Sequence, residues 1–221
     1  MQKFATPAPI TAVLNVPAGR VRLIAADRTD TVVEVLPADA TKTRDVKAAE
    51  QTTVAYTDGV LRIEGPAAKN QLLGAPGSIE VTVQLPAGSS AEGKAAATEL
   101  RAVGRLGDIA FDGAYHHIKI DEATRITLTA TDGHIEIGRL TGPADLTTQR
   151  GNITITEATT GKVALTTQAG DITITTAPGV SASLDAGTSH GRITNTLKND
   201  GTPTLDIHAT TTQGDITARS L

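Results

Sequence analysis

Short runs of alternating apolar and polar residues recur along the chain, each broken by a glycine. Between Gly161 and Thr176 the pattern is plain: Val163, Leu165 and Thr167 point one way, and Ala164 and Thr166 the other. Gly170-Asp171 then interrupts the run, after which Ile172 and Ile174 alternate with Thr173 and Thr175. Period-two alternation predicts two half-buried β-strands, one on each side of the glycine. A tight corner between strands calls for a positive φ, which glycine adopts freely, and Asp, Asn or His after it suits the same turn.

The phrase repeats as Gly107-Asp108-Ile109, Gly133-His134-Ile135, Gly151-Asn152-Ile153, Gly170-Asp171-Ile172, Gly191-Arg192-Ile193 and Gly214-Asp215-Ile216. Gly19 and Gly59 stand in the same context at wider spacing. Two positions after the glycine come Val21, Leu61, Ile109, Ile135, Ile153, Ile172, Ile193 and Ile216. Five before it come Leu14, Val54, Ala102, Leu128, Leu146, Leu165, Ala186 and Ala209, again all apolar. Four after it the column runs from Leu23, Ile63 and Phe111 through Ile137, Ile155 and Ile174, then ends in Asn195 and Ala218.

A sandwich of hairpins would alternate in the same way, but it places no demand for chemical uniformity on equivalent positions. Stacked parallel coils do, because each column becomes a ladder with a step of about 4.8 Å. The uniform columns therefore predict an all-β fold: a single-domain β-solenoid, a flattened β-helix or β-roll with coils of about 20 residues. The domain is expected to run over 1–221, with a less regular, hairpin-decorated part over 1–100 and regular coils over 101–221. In this register Ile172 lies between Ile153 and Ile193, and the unit from Leu205 to Ala218 closes the stack.

In the first part, Ile10–Val16, Arg20–Ala25, Thr31–Leu36 and Ser78–Leu85 read as strands. Asp58-Gly59 reads as a hairpin turn between Thr52–Ala55 and Leu61–Glu64. Thr43–Gln51 and Glu92–Ala102 have helical propensity. In the second of these, Leu100 and Ala102 fall on repeat columns, so strand is expected there.

Composition narrows the function. The 221 residues carry a net charge of −4, with 2% aromatic residues and neither Cys nor Trp. The absence of Cys excludes a disulfide scaffold, thiol catalysis and thiolate metal sites. An acidic balance with few stacking rings argues against nucleic-acid binding. The 36 Thr and 33 Ala suit strands filled with small and β-branched residues. Met1-Gln2-Lys3-Phe4-Ala5-Thr6-Pro7 contains no apolar h-region, and no run approaches the roughly 20 residues that span a bilayer. As written, the chain is expected to have no transmembrane segment and to be cytoplasmic, or envelope-associated if a signal or anchor is missing from it.

The strand-Pro-Ala-Gly phrase Ile79-Glu80-Val81-Thr82-Val83-Gln84-Leu85-Pro86-Ala87-Gly88 precedes units of the Thr167-Gln168-Ala169-Gly170-Asp171-Ile172-Thr173-Ile174 type. Together with Val32-Val33-Glu34-Val35-Leu36-Pro37 and Asp58-Gly59-Val60-Leu61-Arg62-Ile63, these resemble the bacterial "putative adhesin" family of β-strand-repeat proteins, a domain of unknown function. The resemblance covers nearly the whole chain. It implies a non-enzymatic solenoid and brings no catalytic or binding residues with it. Many members resemble membrane-anchored envelope proteins, whereas this chain shows no anchor.

Three residue groups invite a chemical reading. The corner column Asp108, His134, Asn152, Asp171, Arg192 and Asp215 could suggest a calcium ladder, but calcium needs six to eight hard oxygens. One carboxylate per coil, interrupted by His and Arg, does not supply them, so these residues are read as satisfying turn amides. The pairs Thr154/Thr156, Thr173/Thr175 and Thr194/Thr196 form a Thr-x-Thr array that resembles ice-binding β-solenoids, but it covers only three coils, fails at Glu136/Gly138 and at Arg219, and threonine is also simply a good solvent-facing strand residue, so ice binding is only a minor alternative. His116-His117, with Asp112 and Asp121 nearby, is the one His pair, and adjacent strand residues face opposite ways. No nucleophile-elbow phrase or phosphate loop occurs, and Asp121-Glu122 reads as a solvated turn.

No catalytic, cofactor or metal residue is therefore assigned, and no enzyme activity is expected. The leading reading is a non-enzymatic binding or scaffold protein for an unknown protein or envelope partner, adhesion-related, with no nucleic acid involved. The alternative is a carbohydrate-active enzyme on a β-helix platform, which would gather carboxylates and basic residues on adjacent coils of one face. The outward column Ala110, Glu136, Thr154, Thr173, Thr194, Thr217 is nearly uncharged and favours the first. Because only Arg219, Ser220 and Leu221 follow the last unit, its edge is expected either to be covered by the loop Leu197–Pro203 or, the favoured reading, to form a two-fold homodimer through the C-terminal coil edge.

Overall fold

A computed structural model describes residues 1–66, 77–94, 97–115 and 117–221. The protein is an all-β solenoid with one α-helix among the described residues, and it forms two compact units, Met1–Tyr115 and His116–Leu221.

The first unit contains β1 (Gln2–Ala5), β2 (Thr11–Asn15), β3 (Ala18–Ala26), β4 (Asp30–Pro37), α1 (Thr43–Gln51), β5 (Thr53–Thr57), β6 (Val60–Glu64), β7 (Ile79–Pro86), β8 (Ser90–Lys94) and β9 (Ala97–Tyr115). The expected strands and the helix over Thr43–Gln51 are present, and β1 is an addition. β8 and β9 bear out strand over most of Glu92–Ala102, while residues 95 and 96 of that stretch lie outside the described residues. Asp58 (φ 51°) and Gly59 (φ 78°) both adopt positive φ, as a two-residue hairpin between antiparallel β5 and β6 requires.

In this unit the coil β2/β3 lies inside, pairing in parallel with β6 and β8 on one side of the coil and with β7 and β9 on the other. Ala12 stands opposite Leu61 and Ala91, whereas Val21 stands opposite Val81 and Leu100. Val21 and Leu61, each two residues after a glycine, thus belong to different ladders. The eight segments therefore do not share the one register expected from the sequence: Gly59 turns a hairpin, while Gly19 (φ 130°) sits at the start of a parallel strand. Antiparallel β4 covers the outer edge of β7, β1 covers β4, and α1 lies against β4 and β7. Asp45 of α1 is buried and accepts a bond from the Ser78 amide at 3.0 Å.

The second unit contains β10 (Ile118–Asp132), β11 (Ile135–Leu140), β12 (Ala144–Arg150), β13 (Ile153–Ala158), β14 (Gly161–Ala169), β15 (Ile172–Thr176), β16 (Ala182–His190), β17 (Ile193–Thr196), β18 (Leu205–Gln213) and β19 (Ile216–Ser220). All its ladders are parallel. One sheet runs from the second half of β10 through β12, β14 and β18 to β16. The other runs from the first half of β10 through β11, β13, β15 and β19 to β17. Leu128, Leu146, Leu165 and Ala209 form one buried column, and Ile135, Ile153, Ile172 and Ile216 the other. At the corner, a Cβ added to Gly151 (φ 136°) would collide with the Gly133 carbonyl one coil away.

Spatial order departs from chain order at the end. β18/β19 inserts between β14/β15 and β16/β17. Ile172 is therefore flanked by Ile153 and Ile216, not by Ile193, which lies beyond Ile216 and is 43% exposed. Packing explains the choice. β18/β19 brings Leu205, Ile207, Ala209, Ile216 and Ala218, all buried, which need a neighbouring coil on each side. β16/β17 offers Ala182, Leu184, Ala186, Ile193 and Asn195 at the equivalent positions, a smaller and more polar set of which only Ala182 is buried, so the coil with less to bury stands on the outside.

Candidate functional site

The corner column forms a hydrogen-bonded stair. The Asn152 amide donates to His134 Nδ1 (3.1 Å), the Asp171 amide to Asn152 Oδ1 (2.9 Å), the Asp215 amide to Asp171 Oδ1 (2.8 Å) and the Arg192 amide to Asp215 Oδ1 (2.8 Å). Each side chain supplies the acceptor for the next coil's turn, which is why acceptor residues stand here. Arg192 has no acceptor and occupies the last step, where no further coil needs one. Asp108, in the first unit, donates its amide to Ser90 Oγ at 3.2 Å. Among the described residues no group of three or more His, Asp or Glu is arranged to hold a metal ion.

The outer face of the second sheet carries one file of small hydroxyls. Glu136, Thr154, Thr173, Thr217 and Thr194 stand side by side, because the insertion of β19 places Thr217 between Thr173 and Thr194. A second file does not run beside it. Arg219 stands between Thr175 and Thr196 and donates from Nε to Thr175 Oγ1 at 3.0 Å, covering that buried threonine. At Thr156 the ladder shifts register between Ile155 and Ala158.

At the Glu136 end of that file, Lys119 Nζ lies 3.0 Å from Glu136 Oε2 and His117 Nε2 lies 3.5 Å from Oε1. The Lys119 hydrogen bond, helped by the charges of His117 and Lys119, holds the Glu136 carboxyl below its ordinary range. The His117 and His134 rings are 6.4 Å apart. His116, the other half of the sequence pair, lies outside the described residues. Asp112 is an exposed residue of β9 opposite Lys94, and Asp121 lies on β10.

A site that sequence reading missed lies on the outer face of the first sheet. Asp145, Ala164, His208 and Asp185 form one file across β12, β14, β18 and β16; Lys162, Asp206 and Ser183 form the next. They line a groove of about 600 Å³ with the small Ala164 in its file. Ser183 Oγ donates to Asp206 Oδ1 at 2.7 Å, and His208 Nδ1 lies 3.0 Å from Asp185 Oδ2. Carboxylates and basic groups thus do meet on adjacent coils, at positions brought together by the inserted strand. The groove is open: the Asp185 side chain is 84% exposed and that of His208 is 56% exposed. Ser183 bonds to Asp206, and His208 to Asp185, so neither contact pairs a hydroxyl with an imidazole base.

The C-terminal coil edge proposed for a dimer is occupied: β18 pairs with β14 and β16, and β19 with β15 and β17. Among the described residues the open edge of this unit's ladders is that of β16 and β17. The reason is the coil insertion described above.

Parallel two-strand coils, uniform buried columns and side-chain-capped corners define a β-solenoid of the strand-repeat class. The chain belongs to the Toastrack family (DUF4097), whose profile matches residues 13–220. No curated protein matches it in sequence. Among solved structures it is similar to a "putative cell adhesion protein" from Clostridium sporogenes, at 12% identity and TM-score 0.44, over 100% of this chain and 98% of that one. It is also similar to a "putative adhesin" from Bacteroides fragilis, at 12% identity and TM-score 0.36, over 100% and 95%. Another "putative adhesin", from Parabacteroides distasonis, shows 12% identity and TM-score 0.44 over 98% and 95%.

Proposed function

We propose that the protein is a non-enzymatic binding or scaffold module, adhesion-related, which presents the outer face of β11, β13, β15, β19 and β17 to a protein or envelope partner. The observation that supports this reading is the uninterrupted file Thr154, Thr173, Thr217, Thr194. It is a neutral strip with ladder spacing, backed under Thr154, Thr173 and Thr217 by the fully buried Ile153, Ile172 and Ile216. Such a strip offers hydroxyl donors and acceptors on a preorganised backbone, so binding orders few side chains.

The test is adhesion of beads coated with the protein to bacterial envelope fractions. Replacing Thr154 and Thr173 together by Lys is expected to abolish adhesion with little change in melting temperature, since both side chains face outward. Adhesion by this folded double variant equal to that of the parent would refute the assignment of the face.

The carbohydrate-active reading retains one supporting observation, the cluster of Asp145, Lys162, Asp185, Asp206 and His208 in the open groove. A polysaccharide panel assayed for new reducing ends separates the two readings. Release of sugar ends that is lost in Asp206→Asn would establish the enzyme. No release, with adhesion intact, supports the binding module.

A further inference from the structure

We propose that the open edge of β16 and β17 closes a two-fold dimer, in which these strands pair antiparallel with the same strands of a second copy. The backbone of this edge is set up for pairing. The Ser181 carbonyl accepts from the Leu205 amide, so alternation along the strand turns the peptide groups of Leu184 and Ala186 away from β18. The Arg192 carbonyl likewise accepts from the Ile216 amide, which turns those of Ile193 and Asn195 away from β19.

Exposed ladder edges normally carry a lysine, a proline, a bulge or a covering element. Neither β16 (Ala-Ser-Leu-Asp-Ala-Gly-Thr-Ser-His) nor β17 (Ile-Thr-Asn-Thr) contains a lysine or proline, and both hold continuous register with their inner neighbours. The loop after β17 bonds at the start of β16, where the Lys198 carbonyl accepts from the Ala182 amide and Ser181 bonds Asp200 and Thr204. In the first unit, by contrast, β4, β1 and α1 cover the outer edge of β7. The chain therefore contains covering elements, and among the described residues none pairs along this edge.

The chemistry of the edge selects a second copy as the occupant. The isoleucine column ends at Ile193, 43% exposed, where its inner equivalents are fully buried. Another terminal coil has the same cross-section and brings its own Ile193 to the same layer. Charge fixes the direction: Asp185 lies toward the start of β16, and His190 and Arg192 lie at and just beyond its end. Antiparallel pairing sets the acidic end of one copy toward the basic end of the other, while Lys198 and Asp200 of the intervening loop offset one another. A two-fold contact is self-complementary and closes at two chains.

Sedimentation equilibrium of the full chain at high micromolar concentration is expected to give the mass of two 22.7 kDa chains. Ile193→Lys sets like charges near one another at the contact and is expected to weaken association by roughly a hundredfold or more. Ala186→Pro removes an outward amide from an edge strand, a place where proline is tolerated, and is expected to give a folded monomer by circular dichroism. Leu36→Lys, at an exposed leucine of the first unit, should leave the dimer intact. Amides of Leu184, Ala186 and Ile193 should become protected from exchange as concentration rises. A monomer at every concentration, growth beyond two copies, or a dimer unchanged in both Ile193→Lys and Ala186→Pro would overturn the proposal.

Discussion

The inserted coil makes opposite demands on two isoleucines that look equivalent in sequence, and truncating each to alanine measures the difference. Ile216 is fully buried between Ile172 and Ile193, whereas Ile193 ends the column and is 43% exposed. Ile→Ala removes three carbons, worth about 0.8 kcal/mol each when buried, or about 2.4 kcal/mol of transfer free energy. At Ile216 the void is enclosed on both sides by neighbouring coils, so a cavity penalty raises the cost to about 3–4 kcal/mol. At Ile193 roughly half of the transfer term applies and the space opens to solvent, giving about 1 kcal/mol. For a chain of this size, each kcal/mol is roughly 2–4 °C of melting temperature. Thermal unfolding followed by far-ultraviolet circular dichroism, at the lowest workable concentration so that association does not cover Ile193, reads both variants against the parent. If Ile193→Ala costs as much as Ile216→Ala, β19 does not lie between β15 and β17.

The same architecture sets three further outcomes. Gly151→Ala forces a Cβ against the Gly133 carbonyl at positive φ, and should lower the melting temperature by more than any exposed substitution on the same coil. Calcium or a chelator should leave the melting temperature unchanged, because Asp171 and Asp215 already spend an oxygen on the next coil's amide; a calcium-dependent rise of several degrees would contradict the capping role. Hydrogen bonds from Arg28 and then Lys3 hold the Asp30 carboxyl down to about 2. A folded-state value below the unfolded one means that stability is full above the ordinary carboxylate range and is lost as pH falls from about 4 toward about 2. Asp30→Asn should flatten the fall of melting temperature across that window, and an unchanged slope would argue against the Lys3 and Arg28 contacts.

Much of this molecule is legible because a solenoid repeats one local solution. Alternation at Ile172 and Ile174 marks a strand, the glycine before it marks a corner, and the recurrence of both marks parallel coils. The first unit resists the same treatment for a physical reason. Gly59 in a hairpin and Gly19 at the start of a parallel strand satisfy one steric rule, positive φ, in two topologies, and a one-dimensional alignment merges them. The groove on the first sheet was illegible for a different reason. Asp185 and His208 are 3.0 Å apart only because β18 returns to lie beside β16, an event set by long-range packing and not by local pattern.

That return nevertheless left a mark in the sequence. In a stack whose corners are capped by the neighbouring coil, every residue after the glycine must offer an acceptor to the coil beyond, and His134, Asn152, Asp171 and Asp215 all do. Arginine has donors alone. A coil with Arg192 at that position cannot cap a successor, so it must be the end of the stair wherever it falls in the chain. Asn195, at a position four after the glycine where the preceding regular coils carry isoleucine, points the same way, because a polar side chain in a buried column is costly unless one side stays open to water. The two departures occur in the same coil and in no other regular coil of the second unit. Order along a solenoid axis can therefore be read from capping chemistry, independently of order along the chain, and here the two disagree by one coil.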